Sequence, residues 1–515
     1  MANHSLFASA RARATRPNAL NREGAPAYAY GPEHALAQMA ATGTLQDNFY
    51  SGAEVQLAEI LAAARAVSPE FVAKAAVFAR ERGAMKDMPA LLAAFLTVAA
   101  PELAPATFRR VIDSGRMLRT FVQILRSGAV GRTSLGTMPK RLVCEWLEQA
   151  SMPALMRAAT GNAPSLGDVV RMVHPKPADP ARRAFYGWLL GRPYDLAALP
   201  AEVAAFEAWK RDRALPLPPV PFEWLTAAEL TAAQWAELSE RMGWQGLRIN
   251  LNTLARHGAF AVPGTAERVA ARLGDPQAAA RARVMPYQLL VALDQIGPEV
   301  PREVRAALER TLDASFAALP QLPGRVVVCP DVSGSMQSPV TGYRLGATSK
   351  VRCVDVAALV ASALLRTHRR TRVLPFEHEV ATVNLSRSKS VAENAARLAA
   401  VGGGGTNLAA PLAWLNRWQQ RAELVVIVSD NQSWLDPRRA DATAAMVEWN
   451  RLKSRCPRAK LVCIDLQPYG TSQTLDREDI LNVGGFSDAV FETLARFATG
   501  AEKQSWVAEV EATQV

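Results

Sequence analysis

The chain has 515 residues, room at about 150 per domain for three or four units, or for one long helical array and a further domain. With 49% apolar and 21% charged residues it is not a disordered chain, and without a run of about 18 apolar residues or a hydrophobic leader it is expected to be soluble and cytoplasmic, with no membrane partner. Lys plus Arg outnumber Asp plus Glu by 59 to 48, a net +11, which favours an anionic partner such as RNA, DNA or an acidic membrane surface.

Residues 1–25 place Arg11, Arg13, Arg16 and Arg22 among Ala, Asn and Pro with no apolar period, so a flexible basic tail is expected there. From 26 to 323 the pattern is helical. Apolar residues recur at i, i+3 and i+4 between Pro, Gly and Ser/Asp breaks over 54–66, 69–82, 89–99, 139–150, 152–159, 166–173 and 180–190. The pattern continues over 201–212, 232–242, 247–257, 266–273 and 286–296. A dozen or so helices with short links predict helix pairs stacked as a solenoid, although no clean sequence repeat is visible and a compact irregular helical domain fits the same periodicity. Charge is uneven within this part. Between Arg109 and Arg183 stand 13 Lys and Arg against 5 Asp and Glu, most of the chain's excess. Arg132, Lys140, Arg141, Arg157, Arg171, His174 and Lys176 fall in this stretch, and flexible cations of this kind hold phosphates by displacing condensed counterions.

A breaker, Pro320-Gln-Leu-Pro-Gly324, marks a domain boundary, and the remainder, 324–515, alternates strand and helix. Strands are predicted at 325–330, 371–376, 380–385, 423–429, 459–466 and 480–485. Helices are predicted near 352–366, 391–400, 408–420, 437–454 and 488–498. That order implies a mostly parallel, doubly wound α/β sheet. Three loops then meet at the carboxyl ends of strands. One carries Asp331, Ser333 and Ser335, the next Thr406 after Gly402–Gly405, and the third Asp430. Five oxygen donors with no nitrogen or sulfur suit a divalent hard cation such as Mg²⁺ and exclude a zinc set. With no histidine or extra carboxylate placed as a base, the pattern reads as a binding device with a coordination position open to a partner's carboxylate. The glycine run lacks the lysine of a phosphate-binding loop, and Ser333 is not at the centre of a nucleophile elbow. The five cysteines are scattered, and Cys329, Cys353 and Cys463 are expected to be buried free thiols.

Asp331-Val-Ser-Gly-Ser335 with Gly-Gly-Thr406 and Val-Ser-Asp430 resembles a von Willebrand factor A domain and its metal-ion-dependent adhesion site. Upstream, Leu166-Gly-Asp-Val-Val-Arg-Met-Val-His174-Pro-Lys176-Pro is similar to the signature of the TROVE module. Met285-Pro-Tyr-Gln-Leu-Leu-Val-Ala-Leu293 and Asn48-Phe-Tyr50 resemble two further segments of that module. A TROVE module followed by an A domain is identified as the arrangement of the Ro autoantigen family, here of bacterial type. The resemblance implies an α-helical HEAT-like repeat ring closed by the A domain. It implies Y-like small noncoding RNA on a basic outer surface and single-stranded 3′ ends of misfolded RNA in a central hole. It also implies an exoribonuclease partner such as polynucleotide phosphorylase, with the protein itself a monomer. By position, His174 and Arg157 match RNA-contacting residues of the family, while a further basic position falls on Gly161. The function expected is therefore non-catalytic RNA binding. The alternative is a metal-dependent protein-interaction scaffold that grips an acidic partner residue, and a metal-dependent nuclease is the third reading.

Overall fold

The computed structural model describes residues 15–317, 321–343, 351–433, 442–485, 488–500 and 505–515. Short helices follow one another from Pro32–Thr42 to Arg302–Ala317, and the predicted ranges are helical, while Pro32–Thr42, Ala104–Val111, Gly115–Ser127, Phe222–Leu225, Pro276–Arg281 and Arg302–Ala317 are helices beyond the predicted set. Their starts have local causes. Ser68, Ser114, Ser151, Ser165, Asp179, Thr231 and Asp275 each accept from a backbone N–H of the first turn. Ser165 and Asp168 close a full capping box at the start of Leu166–Val173. The helix Asp87–Ala99 is buried on all sides from Met88 to Thr97 and serves as the axis against which Pro69–Glu81, Ala104–Val111 and Gly115–Ser127 pack. The stretch predicted as one helix over 247–257 is two, Trp244–Ile249 and Leu251–Arg256. Asn250 turns its side-chain amide back onto Gly246 O (2.8 Å), which competes with the main-chain ladder at that point.

The strands are β1 (Ala19–Leu20), β2 (Pro26–Ala29), β3 (Val326–Pro330), β4 (Thr371–Val373), β5 (Leu424–Ser429), β6 (Lys460–Asp465), β7 (Thr471–Ser472) and β8 (Ile480–Gly484). Five of them form a parallel sheet in the order β4-β3-β5-β6-β8. β3 and β5 are buried at every residue, as strands covered on both faces must be. Alternation along them divides two cores. Val326, Val328, Val426 and Val428 join the core of the helical array, whereas Val327, Cys329, Val425 and Ile427 face a second cluster around Trp449. Each buried valine contributes about 1.5–3 kcal/mol relative to exposure, and β3 and β5 pack on Cys353–Thr367, the helix that in turn meets Pro286–Gln295 and Arg302–Ala317 of the array.

The expected strand over 380–385 is absent. After β4 the chain doubles back on itself, with Glu377 N–H donating to Glu379 O (3.0 Å) and Ala381 N–H to Pro375 O (2.8 Å), and a turn this tight leaves no extended run to pair. Residues 437–441 of the expected 437–454 helix lie outside the described residues, and the helix there runs Ala444–Arg455. Cys329, Cys353 and Cys463 are buried free thiols as expected.

Residues 15–25 correct part of the tail expected over 1–25. Arg11 and Arg13 lie outside the described residues, but from Ala19 onward the segment enters a second sheet in which β2 pairs with both β1 and β7. Asn21, buried, donates to Ser433 O (2.6 Å), and Tyr30 donates to Asp465 Oδ2 (2.9 Å). Polar bonds to the A domain, not an apolar period, hold this segment.

The A domain touches both ends of the helical array. Pro32–Thr42 lies on β8, and the last helix, Trp506–Glu511, packs on Pro69–Glu81 and Pro32–Thr42. At the other end Pro286–Gln295 and Arg302–Ala317 pack on Cys353–Thr367, and Arg302–Ala317 also meets Val391–Ala399. The result is a helical-repeat ring closed by an α/β domain.

Candidate nucleic-acid interface and metal site

Where the two ends of the array approach each other they leave a cavity of about 610 Å³. Five cations line it: Arg80, Lys86 and Arg116 from the first helices, and Arg248 and Arg283 from the late ones. Among the described residues Asp87 is the one carboxylate in its wall. Val340 and Thr341 of the A domain and Gly484 at the end of β8 complete the lining. Two of the arginines are anchored. Arg80 donates to the carbonyls of Ala84 and Met85 and pairs with Asp113 (2.6 Å), and Arg248 donates to Gln245 and to Gln288 O. Burial pushes the Lys86 ammonium below its usual range, and the positive charges of Arg116 and Arg80 push it further. Crowded, partly dehydrated cations with one acid among them form a site that an entering anion would relax.

The outer residues expected to contact RNA come from neighbouring elements. Lys140 and Arg141 stand exposed on Thr137–Gln149, and Arg157 is exposed on Met152–Ala158. Arg171 and His174 end Leu166–Val173, and Lys176 follows. Lys140 shares a groove of about 570 Å³ with Arg126 and Met172, and Arg157, Arg171, His174 and Lys176 lie outside that groove. These cations differ in freedom. Arg132 is half-buried and donates to Leu135 O (2.8 Å), Arg171 pairs with Asp168 (3.0 Å), and Arg141 sits 3.7 Å from Glu145. His174 terminates its helix in the left-handed region at φ 53°, which presents the ring at a turn. Gly161, on which the resemblance places a further basic position, has φ 98°, and a Cβ there would come within 2.7 Å of Arg119 Nη2. Arg119 reaches over from Gly115–Ser127 and donates to the carbonyls of Ala158 and Thr160, so a guanidinium occupies that place from a different helix. Sequence position alone could not show this.

At the carboxyl edge of the sheet the five oxygen residues do converge, and all are buried. Asp331 Oδ2 accepts from Ser429 (2.6 Å) and its Oδ1 from Ser333 N–H (2.9 Å). Thr406 donates to Ser333 Oγ (2.8 Å), which lies 3.4 Å from Ser335 Oγ, and Asp430 accepts from Gln432 N–H (3.3 Å). The glycine run has a steric reason. Gly402 at φ 101° passes so close to the first loop that a Cβ would lie 1.8 Å from Val332 O. Burial pushes both carboxyls up, and the charge of Asp331 raises Asp430 further. Two dehydrated carboxylates ringed by hydroxyls fit a hard divalent cation, whose charge would remove the penalty that burial imposes.

Two features of this edge escaped the sequence reading. Glu377 and His378 stand beside the site, neighbours that the motif spacing does not announce. Glu377 Oε2 accepts from Gly404 N–H (2.7 Å) and its Oε1 faces His378 Nδ1 (3.1 Å), so both are engaged in holding the glycine loop. The N-terminal segment also covers the site. Gln432 Oε1 accepts from Arg22 N–H (2.7 Å), Arg22 lies over the Tyr469 ring, and Tyr50 packs edge-on against Tyr469 (6.0 Å). Asn431, at φ 63°, is tied to Asp465, Thr471 and Gln473, which explains a polar pair, Asn431-Gln432, after Asp430.

Residues 325–498 match the family model of the Ro60 von Willebrand factor A domain. Along nearly its whole length the chain is similar to the RNA-binding protein RO60 of Deinococcus radiodurans, 25% identical over 525 residues that span 93% of this chain and 95% of the relative. The crystal structure of the Deinococcus radiodurans RO (RSR) protein shares the fold, with a TM-score of 0.61 and 22% identity over 92% of this chain and all of that one. The domain match and the full-length relative make this chain similar to a bacterial Ro protein, and the solved structure shows that the two share a fold.

Proposed function

We propose that this chain is a non-catalytic RNA-binding protein that takes single-stranded 3′ ends of misfolded RNA into the central cavity and a Y-like structured RNA on the basic face around Lys140, Arg157 and His174. The observation that carries the reading is the cavity itself, five cations and one carboxylate where the array closes. Phosphates entering it would neutralise charge already crowded together, and affinity would fall with salt by roughly 0.7 log units per log unit for each phosphate held. An unpaired end fits such a cavity, whereas a duplex is far too wide. In this reading the protein presents RNA to an exoribonuclease in processing or quality control, and acts as a monomer in the cytoplasm.

Asp331, Ser333, Ser335, Thr406 and Asp430 would hold Mg²⁺, and the ion would supply a coordination position for an acidic residue of a partner protein. The chain's own residues keep that edge dry. Ser429 and the Ser333 N–H orient Asp331, the glycine loop closes over Val332, and Arg22, Tyr50 and Tyr469 wall the site from above.

The test is filter binding of a structured RNA with and without a single-stranded 3′ tail across a salt series. Changing Lys86, Arg116 and Arg283 to Ala together should abolish the advantage of the tail. Changing Lys140, Arg157 and His174 to Ala together should weaken both RNAs alike. A tail that adds nothing to affinity in the parent protein would sink the cavity reading.

A further inference from the structure

The amino edge of the A-domain sheet, opposite the oxygen site, carries a second basic surface. Arg370 opens β4, Arg325 precedes β3 and Arg421 comes just before β5. Val326 N–H donates to Arg370 O (3.1 Å) and Glu423 N–H to Arg325 O (3.0 Å), which locks the three strand entries side by side. With Arg372 of β4 these arginines line a cavity of about 470 Å³. All four are exposed, and among the described residues none of the four guanidinium groups has an ion-pair partner. The carboxylate at this edge, Glu423, accepts from Arg325 N–H (2.5 Å).

Aromatic rings continue the surface. Arg372 lies over Trp414 (5.5 Å to the centroid) and Arg417 over Trp418 (5.6 Å), and the two indoles are 6.4 Å apart. Trp418 is 56% exposed, an unusual position for so large an apolar ring in a chain that buries Trp209, Trp449 and Trp506. Guanidinium groups serve phosphates, and an exposed indole serves an unpaired base. A duplex would use the charges and leave the ring idle, whereas a single strand offers both phosphates for the guanidinium groups and a planar base for the indole.

We propose that the amino edge of the A-domain sheet is a second RNA surface, taking single-stranded RNA with bases stacked on Trp418 and phosphates held by Arg370, Arg372 and Arg421. It goes beyond the cavity reading, since a strand lying here needs no free end.

The probe that separates the two is a circular oligouridine, which has no end to enter the ring. With full-length protein, Trp418→Ala and the combined change of Arg370, Arg372 and Arg421 to Ala should each lower affinity for the circle about tenfold or more. The combined change should also flatten the salt slope by about 2. Ultraviolet crosslinks to the circle should map to Trp418. Changing Lys86, Arg116 and Arg283 should leave binding of the circle intact. Arg372 packs on Trp414, so if the triple variant melts early, Arg370→Glu with Arg421→Glu carries the test instead. Unchanged affinity for the circle in these variants overturns the proposal and leaves the cavity reading standing, and a surface made for an acidic protein would give that same result. Loss of circle binding only in the Lys86, Arg116 and Arg283 variant overturns it as well.

Discussion

The carboxyl edge of the sheet and the central cavity are two versions of one physical situation with opposite sign. At the edge, Asp331 and Asp430 are stripped of water, which pushes both carboxyls up, and the charge of Asp331 raises Asp430 further. In the cavity, Lys86 is stripped of water and pushed down by Arg116 and Arg80. Each place holds like charges together against their mutual repulsion, and each is therefore poised for a counterion, a divalent cation in one and phosphate in the other. The difference lies in how the chain builds them. The acidic edge comes from three loops of one domain and is locked by backbone. The basic cavity comes from helices far apart in sequence and exists only when the ring is closed.

Perturbations should respect that division, beginning with the largest. Gly402→Ala puts a Cβ on Val332 O and forces a positive φ on alanine, so urea unfolding should show a loss of about 3 kcal/mol or more. Asp430→Ala should lower Mn²⁺ affinity, followed by its electron paramagnetic resonance signal, by more than about 100-fold while tailed-RNA affinity stays unchanged. A parallel loss of RNA binding would mean the two sites are not separate. A graded effect follows from Asp465, which ties the A domain to the N-terminal segment through Tyr30 and Gln38. Burial pushes its carboxyl up to about 8. The unfolded chain releases that proton near pH 4 and the folded chain keeps it, so this contribution is complete below about pH 4 and is lost as pH rises through about 8. Melting temperature should fall across that window, and Asp465→Asn should flatten the decline. The smallest effect is Tyr30→Phe, which removes one bond to Asp465 and should cost about 1 kcal/mol with RNA and metal affinity untouched.

The same division explains what could be read from sequence. The oxygen edge was legible because its donors sit at fixed offsets at the ends of apolar strands, where a parallel sheet must bring them together. Many helices were legible from their period, but Gly115–Ser127 and Arg302–Ala317 were not among those predicted, and Asn250 breaks one predicted helix with a side-chain bond that periodicity does not register. The docked segment around Asn21 was not legible, because two to four residues of strand held by polar bonds leave no apolar signature. Nor was the cavity, because Lys86 and Arg283 are nearly two hundred residues apart and meet only through ring closure. Arg119 filling the place of Gly161 shows the same limit at short range. The amino-edge surface did have a local signal, the runs Arg366-Thr-His-Arg369-Arg370-Thr-Arg372 and Trp414-Leu-Asn-Arg417-Trp418-Gln-Gln-Arg421. The larger charge excess of 109–183 overshadows it in the sequence.

The central claim is that an unpaired RNA end sits among the cations where the array closes. It is tested most directly by crosslinking a tailed RNA whose 3′-terminal nucleotide alone is 4-thiouridine, and mapping the attached peptides. The account predicts crosslinks within the cavity wall, in 80–87, 245–249 or 283–288. Crosslinks confined to the outer face between 109 and 183, with none in the cavity wall, would contradict it.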